Sequence, residues 1–359
     1  MGSHWHTRRL AFGAVPLALI AVAPAITAHS GPNLGWRVVY SHHYGATSAF
    51  STFWSASATG TRNAWAVGGR TPNGAPGSGR PLAVRWRGGR WRASRLPRGL
   101  TSYLFAVSAD SASDAWAVSG QGGYVLHWNG SSWSVARKFP ESGLTRQITG
   151  VTAFKPTDVW VFGGSGAYPG VGTWHLHGKR WTKVTGNGGN IDSASALSRS
   201  DMWAVGGIKA GQDAIMHYSG GKWLHATGTA LTGVQFHGIV ALSKGNVWAS
   251  AGLQSNPARA FLVHHTSAGW VRVHLPWAVE PGRLASDGHG GIWATASSGK
   301  KTWLVHRTAS GRWSRFALRE GSFAAGLTRI PGTRSLWATG SLSQQAGSKA
   351  AIWAFGRIR

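Results

Sequence analysis

The apolar residues of this chain fall in short runs separated by turn-forming residues, and one such run recurs at a nearly constant interval. Each copy has a Trp inside the run, and an Asn, Asp, Gly or Ser stands two residues before that Trp. Because these residues favour tight turns, each run is predicted to be a strand entered from a turn. The seven tryptophans of this first series lie 43 to 51 residues apart and are Trp65, Trp116, Trp160, Trp203, Trp248, Trp293 and Trp337.

A second tryptophan series follows links that contain glycine, which are predicted to be β-hairpins between two apolar runs. Its members are Trp91, Trp133, Trp181, Trp223, Trp270 and Trp313. Two further apolar runs, such as Tyr124–Trp128 and Ile148–Phe154, complete each unit. Four antiparallel strands in about 44 residues is the size of a propeller blade and too short for an independent domain.

The last unit lacks the glycine-tryptophan strand and ends at Ile352–Phe355, while an isolated copy of that strand stands at Gly35–Val39. Pairing the two would close the ring and remove a free sheet edge. We therefore predict an all-β fold, a seven-bladed β-propeller of four-stranded antiparallel blades whose last blade is closed by the N-terminal strand. Residues 31–359 are expected to form this single domain.

The segments Asp158–Gly164 and Asp201–Gly207 resemble the kelch strand that ends in a Gly-Gly doublet, and Tyr218 and Trp223 follow in kelch order. The pattern is similar to the kelch-like and galactose oxidase-type β-propeller superfamily, particularly its secreted actinobacterial members. Tectonin-type lectin propellers have a similar arrangement. Galactose-oxidase copper chemistry would need the family's cysteine, which this chain lacks. The resemblance implies an architecture that hosts both enzymes and binding proteins.

Residues 1–30 have the features of a cleaved secretory signal peptide. A cationic start with Arg8 and Arg9 precedes an apolar run, and small residues follow, with cleavage expected near Ala25 or Ala28. A membrane anchor is the alternative, but the run is short for a bilayer. We expect a secreted or cell-wall-associated protein, exported by the Sec or the Tat route, with no transmembrane segment. The absence of cysteine excludes disulfides and thiolate metal sites.

The chain is 42% hydrophobic and has a formal net charge of +27, so a folded but strongly basic protein is expected. Ring closure would bring the basic first and last units together. Such a field attracts polyanions, although an arginine-rich surface also keeps a Trp-rich protein soluble. The predicted basic sector is densest at Arg80, Arg85, Arg87, Arg90, Arg92, Arg95 and Arg98.

Few residues of the sequence are suited to a catalytic site or a metal site. Of ten carboxylates, only Asp110, Asp192 and Asp287 lie in or near first strands, which approach the central axis. A hydrolase or lyase at the axial opening would need two of them to converge. Five of the thirteen histidines after residue 30 recur once per unit, six or seven residues before the second-series Trp, as at His217, which indicates packing. We therefore predict no metal site, no cofactor and no catalytic residue.

A binding face is expected where the connections between blades and the loops between second and third strands meet. Tyr44, Tyr168 and Trp277 are candidate stacking surfaces for sugars on that face, although a loop aromatic more often covers the core. Charged candidate ligand-binding residues are Arg85, Arg87, Arg90 and Arg92.

These features favour a non-catalytic secreted protein that binds an extracellular glycan or an anionic cell-envelope polymer. The alternatives are an extracellular hydrolase or lyase and a scaffold for another protein. We expect a monomer without specific nucleic-acid recognition.

Overall fold

A computed structural model describes residues 35–46, 49–71, 79–140, 148–164, 170–186, 190–209 and 212–358. The predicted signal peptide and Tyr168 lie outside these residues. The described chain is all-β, and one 3-10 turn, Thr229–Leu231, lies wholly within the described residues. Within these ranges, no helix is long and apolar enough to cross a membrane.

The described residues form 28 strands. The first nine are β1 (Arg37–His42), β2 (Phe50–Gly60), β3 (Asn63–Thr71), β4 (Arg80–Arg87), β5 (Arg90–Ala93), β6 (Leu104–Ala109), β7 (Ala115–Ser119), β8 (Tyr124–Trp128) and β9 (Trp133–Lys138). The next eight are β10 (Gly150–Lys155), β11 (Asp158–Phe162), β12 (Trp174–His177), β13 (Arg180–Lys183), β14 (Ser193–Ser198), β15 (Asp201–Lys209), β16 (Gln212–Ser219) and β17 (Lys222–His225). The last eleven are β18 (Val234–Ser243), β19 (Asn246–Leu253), β20 (Asn256–Thr266), β21 (Gly269–Val273), β22 (Glu280–Ser286), β23 (Ile292–Ser298), β24 (Lys301–Arg307), β25 (Trp313–Ala317), β26 (Ser322–Arg329), β27 (Leu336–Ser343) and β28 (Ser348–Phe355).

Five sheets contain four consecutive antiparallel strands each, from β6–β9 to β22–β25, and the remaining strands form one eight-stranded sheet. In that larger sheet the order is β26-β27-β28-β2-β3-β4-β5, and β1 pairs with β28. The link between β28 and β2 is one parallel bridge, Phe50 to Ser348. The predicted four-stranded antiparallel unit is thus confirmed. In every unit the first-series Trp lies on the second strand, and in six units the glycine link lies between the third and fourth strands.

The core lies between neighbouring four-stranded units, because first-series tryptophans pack on aromatic residues of the next unit. Trp65 is fully buried, and its ring centroid lies 4.9 Å from those of both Trp128 and Trp133. Trp337 packs in the same way, 5.0 Å from Trp86 and 5.2 Å from Trp91. These large apolar rings account for much of the buried area that holds one sheet against another.

The first strands of the units contact one another in a closed cycle, from β2 through β6, β10, β14, β18, β22 and β26 back to β2. The N-terminal strand β1 pairs antiparallel with β28, with Val38 opposite Trp353 and Tyr40 opposite Ile352. Trp36, just before β1, packs edge-on against Trp293 at 5.4 Å.

Glycine doublets near the ends of second strands have a steric cause. A Cβ at Gly68 would collide with the carbonyl oxygen of Thr52, and a Cβ at Gly206 would collide with that of Asn190. Only glycine allows the second strand to approach the first so closely.

Candidate functional site

Histidine side chains in five sheets pack flat on first-series tryptophans. The ring centroids of His217 and Trp203 lie 4.0 Å apart at an interplanar angle of 8°, and His217 Nε2 lies 2.9 Å from Asp201 Oδ1. The same arrangement joins His127 with Trp116 and Asp114, His175 with Trp160 and Asp158, His264 with Trp248 and Asn246, and His306 with Trp293 and Asp287. These contacts agree with the packing role that the spacing predicted.

Asp287 takes part in this repeat and does not face the axis, contrary to its expected place among the axial carboxylates. Gly291 stands at the usual turn position, and Asp287, four residues earlier, supplies the carboxylate instead. It accepts hydrogen bonds from the backbone N–H groups of His289 (2.7 Å) and Gly291 (2.9 Å) and pairs with His306 (2.9 Å). Burial raises the pKa of Asp287, but these bonds lower it more, so the pKa lies below its ordinary value.

Arg85 occupies the histidine position of its sheet. Its guanidinium carbon lies 5.1 Å from the ring centroids of both Trp65 and Trp128. Arg85 Nε donates to Asn63 Oδ1 (3.0 Å) and Nη2 donates to the Ala112 carbonyl (2.6 Å). Packing therefore accounts for Arg85 without a ligand.

One group of potential metal ligands occurs in the described residues, formed by Asp158, His175 and His177, whose donor atoms lie within 4.8 Å of one another. The sequence predicted no such group. Asp158 Oδ1 already lies 2.8 Å from His175 Nε2 in the repeated bond, and His177 is exposed. Because other sheets contain the same Asp–His bond, repeat packing explains two of the three residues.

Tyr44 lies in a cleft of about 660 Å³ beside the start of β4. We call it the basic cleft, and its polar lining is His42, His43, Tyr44, Arg70, Arg80 and Arg98. No carboxylate of the described chain lines it. Tyr44 packs edge-on against Phe53, and its hydroxyl lies 2.7 Å from that of Tyr40. Burial, followed by this hydrogen bond, raises the pKa of Tyr44 above its ordinary value, so the phenol stays protonated.

Arg87, Arg90 and Arg92 lie away from Tyr44. Arg87 and Arg90 face each other across the β4–β5 hairpin, whereas Arg80 stands at the opposite end of β4. All three residues are exposed. The structure therefore divides the predicted basic sector between the two ends of one sheet and joins only Arg80 and Arg98 to Tyr44.

Trp277 belongs to a different part of the molecule, the connection between β21 and β22. The guanidinium carbon of Arg315 lies 4.9 Å from its ring centroid and 4.3 Å from that of Trp303. Trp277 also packs against the buried cluster around Val279. Trp277 therefore covers the core, which was the alternative interpretation given for an aromatic residue in a loop.

The first strands of the units enclose an axial cavity of about 470 Å³. Many of its lining residues stand near the beginnings of first strands, such as Phe105 and Ser193, and Phe162 stands at the end of a second strand. One side, the aromatic wall, consists of Trp54, Phe105 and Phe323. The Trp54 ring centroid lies 5.9 Å from those of both phenylalanines, and Phe323 is 47% exposed.

The other side, the polar wall, consists of Asp192, His237 and Arg283. Arg283 Nη1 donates to the His237 carbonyl at 3.3 Å, and Asp192 Oδ1 is buried with no hydrogen-bond partner in the described chain. Asp213 stands nearby and accepts a hydrogen bond from the Phe236 backbone N–H at 3.0 Å.

The charged groups of the polar wall shift one another's pKa values. Burial, then the nearby Asp213, raises the pKa of Asp192 to about 7, although Arg283 opposes the shift. Burial also raises the pKa of Asp213. Burial lowers the pKa of His237, against the effect of Asp213 and Glu280, so its ring is neutral at neutral pH.

Sequence reasoning identified only part of this cavity. Asp192 was one of three expected axial carboxylates, whereas Trp54 was not among the candidate stacking residues. No sequence pattern identified Arg283, His237 or Phe323, because these residues occupy ordinary strand positions. Asp110, the remaining axial candidate, is exposed in a turn.

No protein-family model matches the chain, and no curated protein matches its sequence. Solved structures do match its fold. A structure of YCF48 bound to a D1 peptide has a TM-score of 0.64 at 15% identity, with 93% of this chain and all of that chain covered. A streptogramin B lyase has a TM-score of 0.64 at 12% identity, with 92% of this chain and all of that chain covered. U3-55K has a TM-score of 0.56 at 13% identity, with 91% of this chain and all of that chain covered.

These similarities define the class of the protein: the chain is a β-propeller. The neighbours include a protein with a bound peptide and a lyase, so at identities of 12–15% they show the fold and not the activity.

Proposed function

We propose that this β-propeller is a secreted, non-catalytic binding protein that retains an anionic cell-envelope polymer in its basic cleft. The observation that carries the proposal is the joining of Tyr44 to Arg70, Arg80 and Arg98 in one concave surface without a carboxylate in the described lining.

The chemistry of the basic cleft suits phosphate or carboxylate groups. Guanidinium groups bind such oxyanions through paired N–H donors. Tyr44 remains a neutral phenol and adds a flat surface and a hydroxyl donor. In a chain of net charge +27 the wider field also attracts polyanions to the surface.

The architecture that we propose for this function has seven blades. The closed cycle of first strands supports this count, provided that the eight-stranded sheet is read as two blades joined by the bridge from Phe50 to Ser348. The pairing of β1 with β28 supports closure of the last blade by the N-terminal strand. Membership of the kelch-like group rests on the glycine doublets and the tryptophan order, and secretion rests on residues 1–30.

Two matched triple variants test the basic cleft. Arg70, Arg80 and Arg98 are changed to Gln in one variant, and Arg87, Arg90 and Arg92 in the other, so both variants have three fewer positive charges. Binding to poly(glycerol phosphate) is measured by fluorescence anisotropy at several salt concentrations. The magnitude of the negative slope of log K against log salt falls by about 0.7 to 0.9 for each phosphate group that the protein no longer neutralises.

The cleft variant should lower the magnitude of this slope by about 2 to 3, and the control variant should lower it by less than about 1. Equal decreases in the two variants, or no binding by the wild-type protein at the lowest salt concentration, would contradict the proposal.

A hydrolase or lyase at the axial opening is the second candidate. It is favoured by Asp192, whose raised pKa suits a general acid, next to a second carboxylate, Asp213. Turnover of a glycosidic substrate that Asp192→Asn abolishes would support this function. Absence of product across a panel of acidic and neutral oligosaccharides would exclude it for those substrates.

A further inference from the structure

The axial cavity has the size and position of a binding site for a small group. At about 470 Å³ it falls within the range of about 300 to 1,000 Å³ typical of small-molecule pockets. Its lining comes mainly from the first strands around the ring.

The aromatic wall offers a flat apolar surface to whatever enters. Trp54 and Phe323 are not sealed in the core, since both line the cavity and Phe323 is 47% exposed. Exposed neighbouring aromatic rings are favourable contact surfaces for a ligand with an apolar face.

The polar wall offers hydrogen-bonding groups of both kinds that the protein leaves unused. Arg283 has five N–H donors, and its only hydrogen bond from the guanidinium in the described chain is the long one to the His237 carbonyl. Asp192 Oδ1 is a buried acceptor without a partner among the described residues. A buried acceptor such as Asp192 Oδ1 is normally satisfied, so it indicates a group that a ligand would engage, and Arg283 lines the same cavity.

The mixture of charges narrows the chemistry of that ligand. A ligand that is only an anion would be repelled by the carboxylates of Asp192, Asp213 and Glu280. A ligand that is only a cation would be repelled by the guanidinium of Arg283. A hydroxyl group both donates and accepts, so adjacent hydroxyls can satisfy Asp192 and Arg283 together. A pyranose ring adds the apolar C–H face that suits Trp54.

We propose that the axial cavity is a second binding site, which takes one neutral saccharide residue with its ring on Trp54 and its adjacent hydroxyl groups bonded to Arg283 and Asp192. This site is separate from the basic cleft in position and in charge. It goes beyond the proposed function, because it selects a sugar unit where the basic cleft retains a charged polymer.

The test uses calorimetric titration of the protein with maltotriose, cellotriose and chitotriose as probes. The variants Trp54→Ala and Arg283→Gln should each weaken binding of the trisaccharide that binds by about tenfold or more. The control Trp277→Ala removes an aromatic ring outside the cavity and should leave the affinity within about twofold.

The two proposals can fail independently. The triple variant of the basic cleft should bind the trisaccharide as the wild-type protein does, and Trp54→Ala should bind poly(glycerol phosphate) unchanged. The saccharide proposal would be overturned if none of the three trisaccharides binds at millimolar concentration, if Trp277→Ala weakens binding as much as Trp54→Ala, or if a lysine-containing peptide binds the cavity in preference to them.

Discussion

Replacing Asp192 by Asn should stabilise the protein, and the gain should be largest at alkaline pH. In the folded chain, burial and the nearby Asp213 raise the pKa of Asp192 to about 7, against an ordinary value of 3.8. The folded state therefore holds this proton more tightly than the unfolded chain does. The resulting stability is fully present below pH 3.8 and is lost as the pH rises through about 7.

The size of the effect follows from the shift. A difference of about 3 pH units at about 1.4 kcal/mol per unit gives a cost of about 4 kcal/mol at pH 8 and less than half of that at pH 5. Contact of the carboxylate with water in the axial cavity reduces this cost to about 2 to 4 kcal/mol at pH 8. With an unfolding entropy of about 0.7 kcal/mol/K for a domain of this length, Asp192→Asn should raise the melting temperature at pH 8 by about 3 to 6 °C.

Thermal unfolding followed by circular dichroism at pH 5 and pH 8 measures this gain. Glu320→Gln is the matched control, because it removes a carboxylate from an exposed turn, and it should not change the melting temperature. An Asp192→Asn protein that melts at or below the wild-type temperature at pH 8, or gains equally at both pH values, would refute the reasoning. A stabilised variant that also loses trisaccharide binding would identify Asp192 as a residue kept for function at a cost in stability.

Four further outcomes test the packing. His217→Ala should destabilise the fold by about 2 to 4 kcal/mol in denaturant unfolding, because it removes a stacked ring and leaves a buried carboxylate unpaired. Arg85→His should unfold within about 1 kcal/mol of the wild-type protein, because it restores the side chain that the other sheets use. The contribution of His264 to stability, measured as the difference between the wild-type protein and His264→Gln, should fall between about pH 6.5 and 4, because burial, followed by the nearby Arg307 and His265, holds the pKa of His264 at about 4. Asp287, with its lowered pKa, should cost further stability only below about pH 3.8, as it takes up a proton; denaturant midpoints from about pH 7 to about pH 3 measure both effects. Trp36→Ala should cost about 1 to 3 kcal/mol in the same assay if β1 is integral to the fold, whereas no change would show that β1 is dispensable.

The repeat could be predicted from the sequence because strand order and turn chemistry are local properties. A Trp two residues after a turn former, followed by a glycine hairpin, marks the same backbone path in each unit, and the strands of the structure follow it. The histidine spacing was informative for the same reason. Each histidine stands opposite the Trp of the adjacent strand, as His217 stands opposite Trp203.

The axial cavity could not be predicted in this way, since its walls come from strands that are distant in sequence. Trp54, Asp192 and Arg283 meet only because the first strands converge, and no local pattern records that convergence. Asp287 misled for a related reason: a carboxylate four residues before Gly291 reaches the turn that its counterparts occupy directly. Arg85 and Arg87 lie on the same face of β4, but Arg85 stands opposite Trp65 and packs on it, whereas Arg87 stands at the hairpin and is exposed.

The distribution of carboxylates links the packing of this fold to its proposed sites. Four of the ten carboxylates bond to histidines of the repeat, whereas Asp192 lines the axial cavity and the charges of Asp213 and Glu280 act on His237 in its wall. We therefore expect the strongly basic surface and the mixed-charge cavity to bind different classes of ligand. Contacts of arginine with a polyanion weaken as salt rises and discriminate little between polymers. A buried acceptor and donor, by contrast, reject any ligand that lacks the matching hydroxyl, because they would be left unpaired. Added salt should accordingly release the polyanion from the basic cleft and leave the choice among saccharides at the axial cavity unchanged.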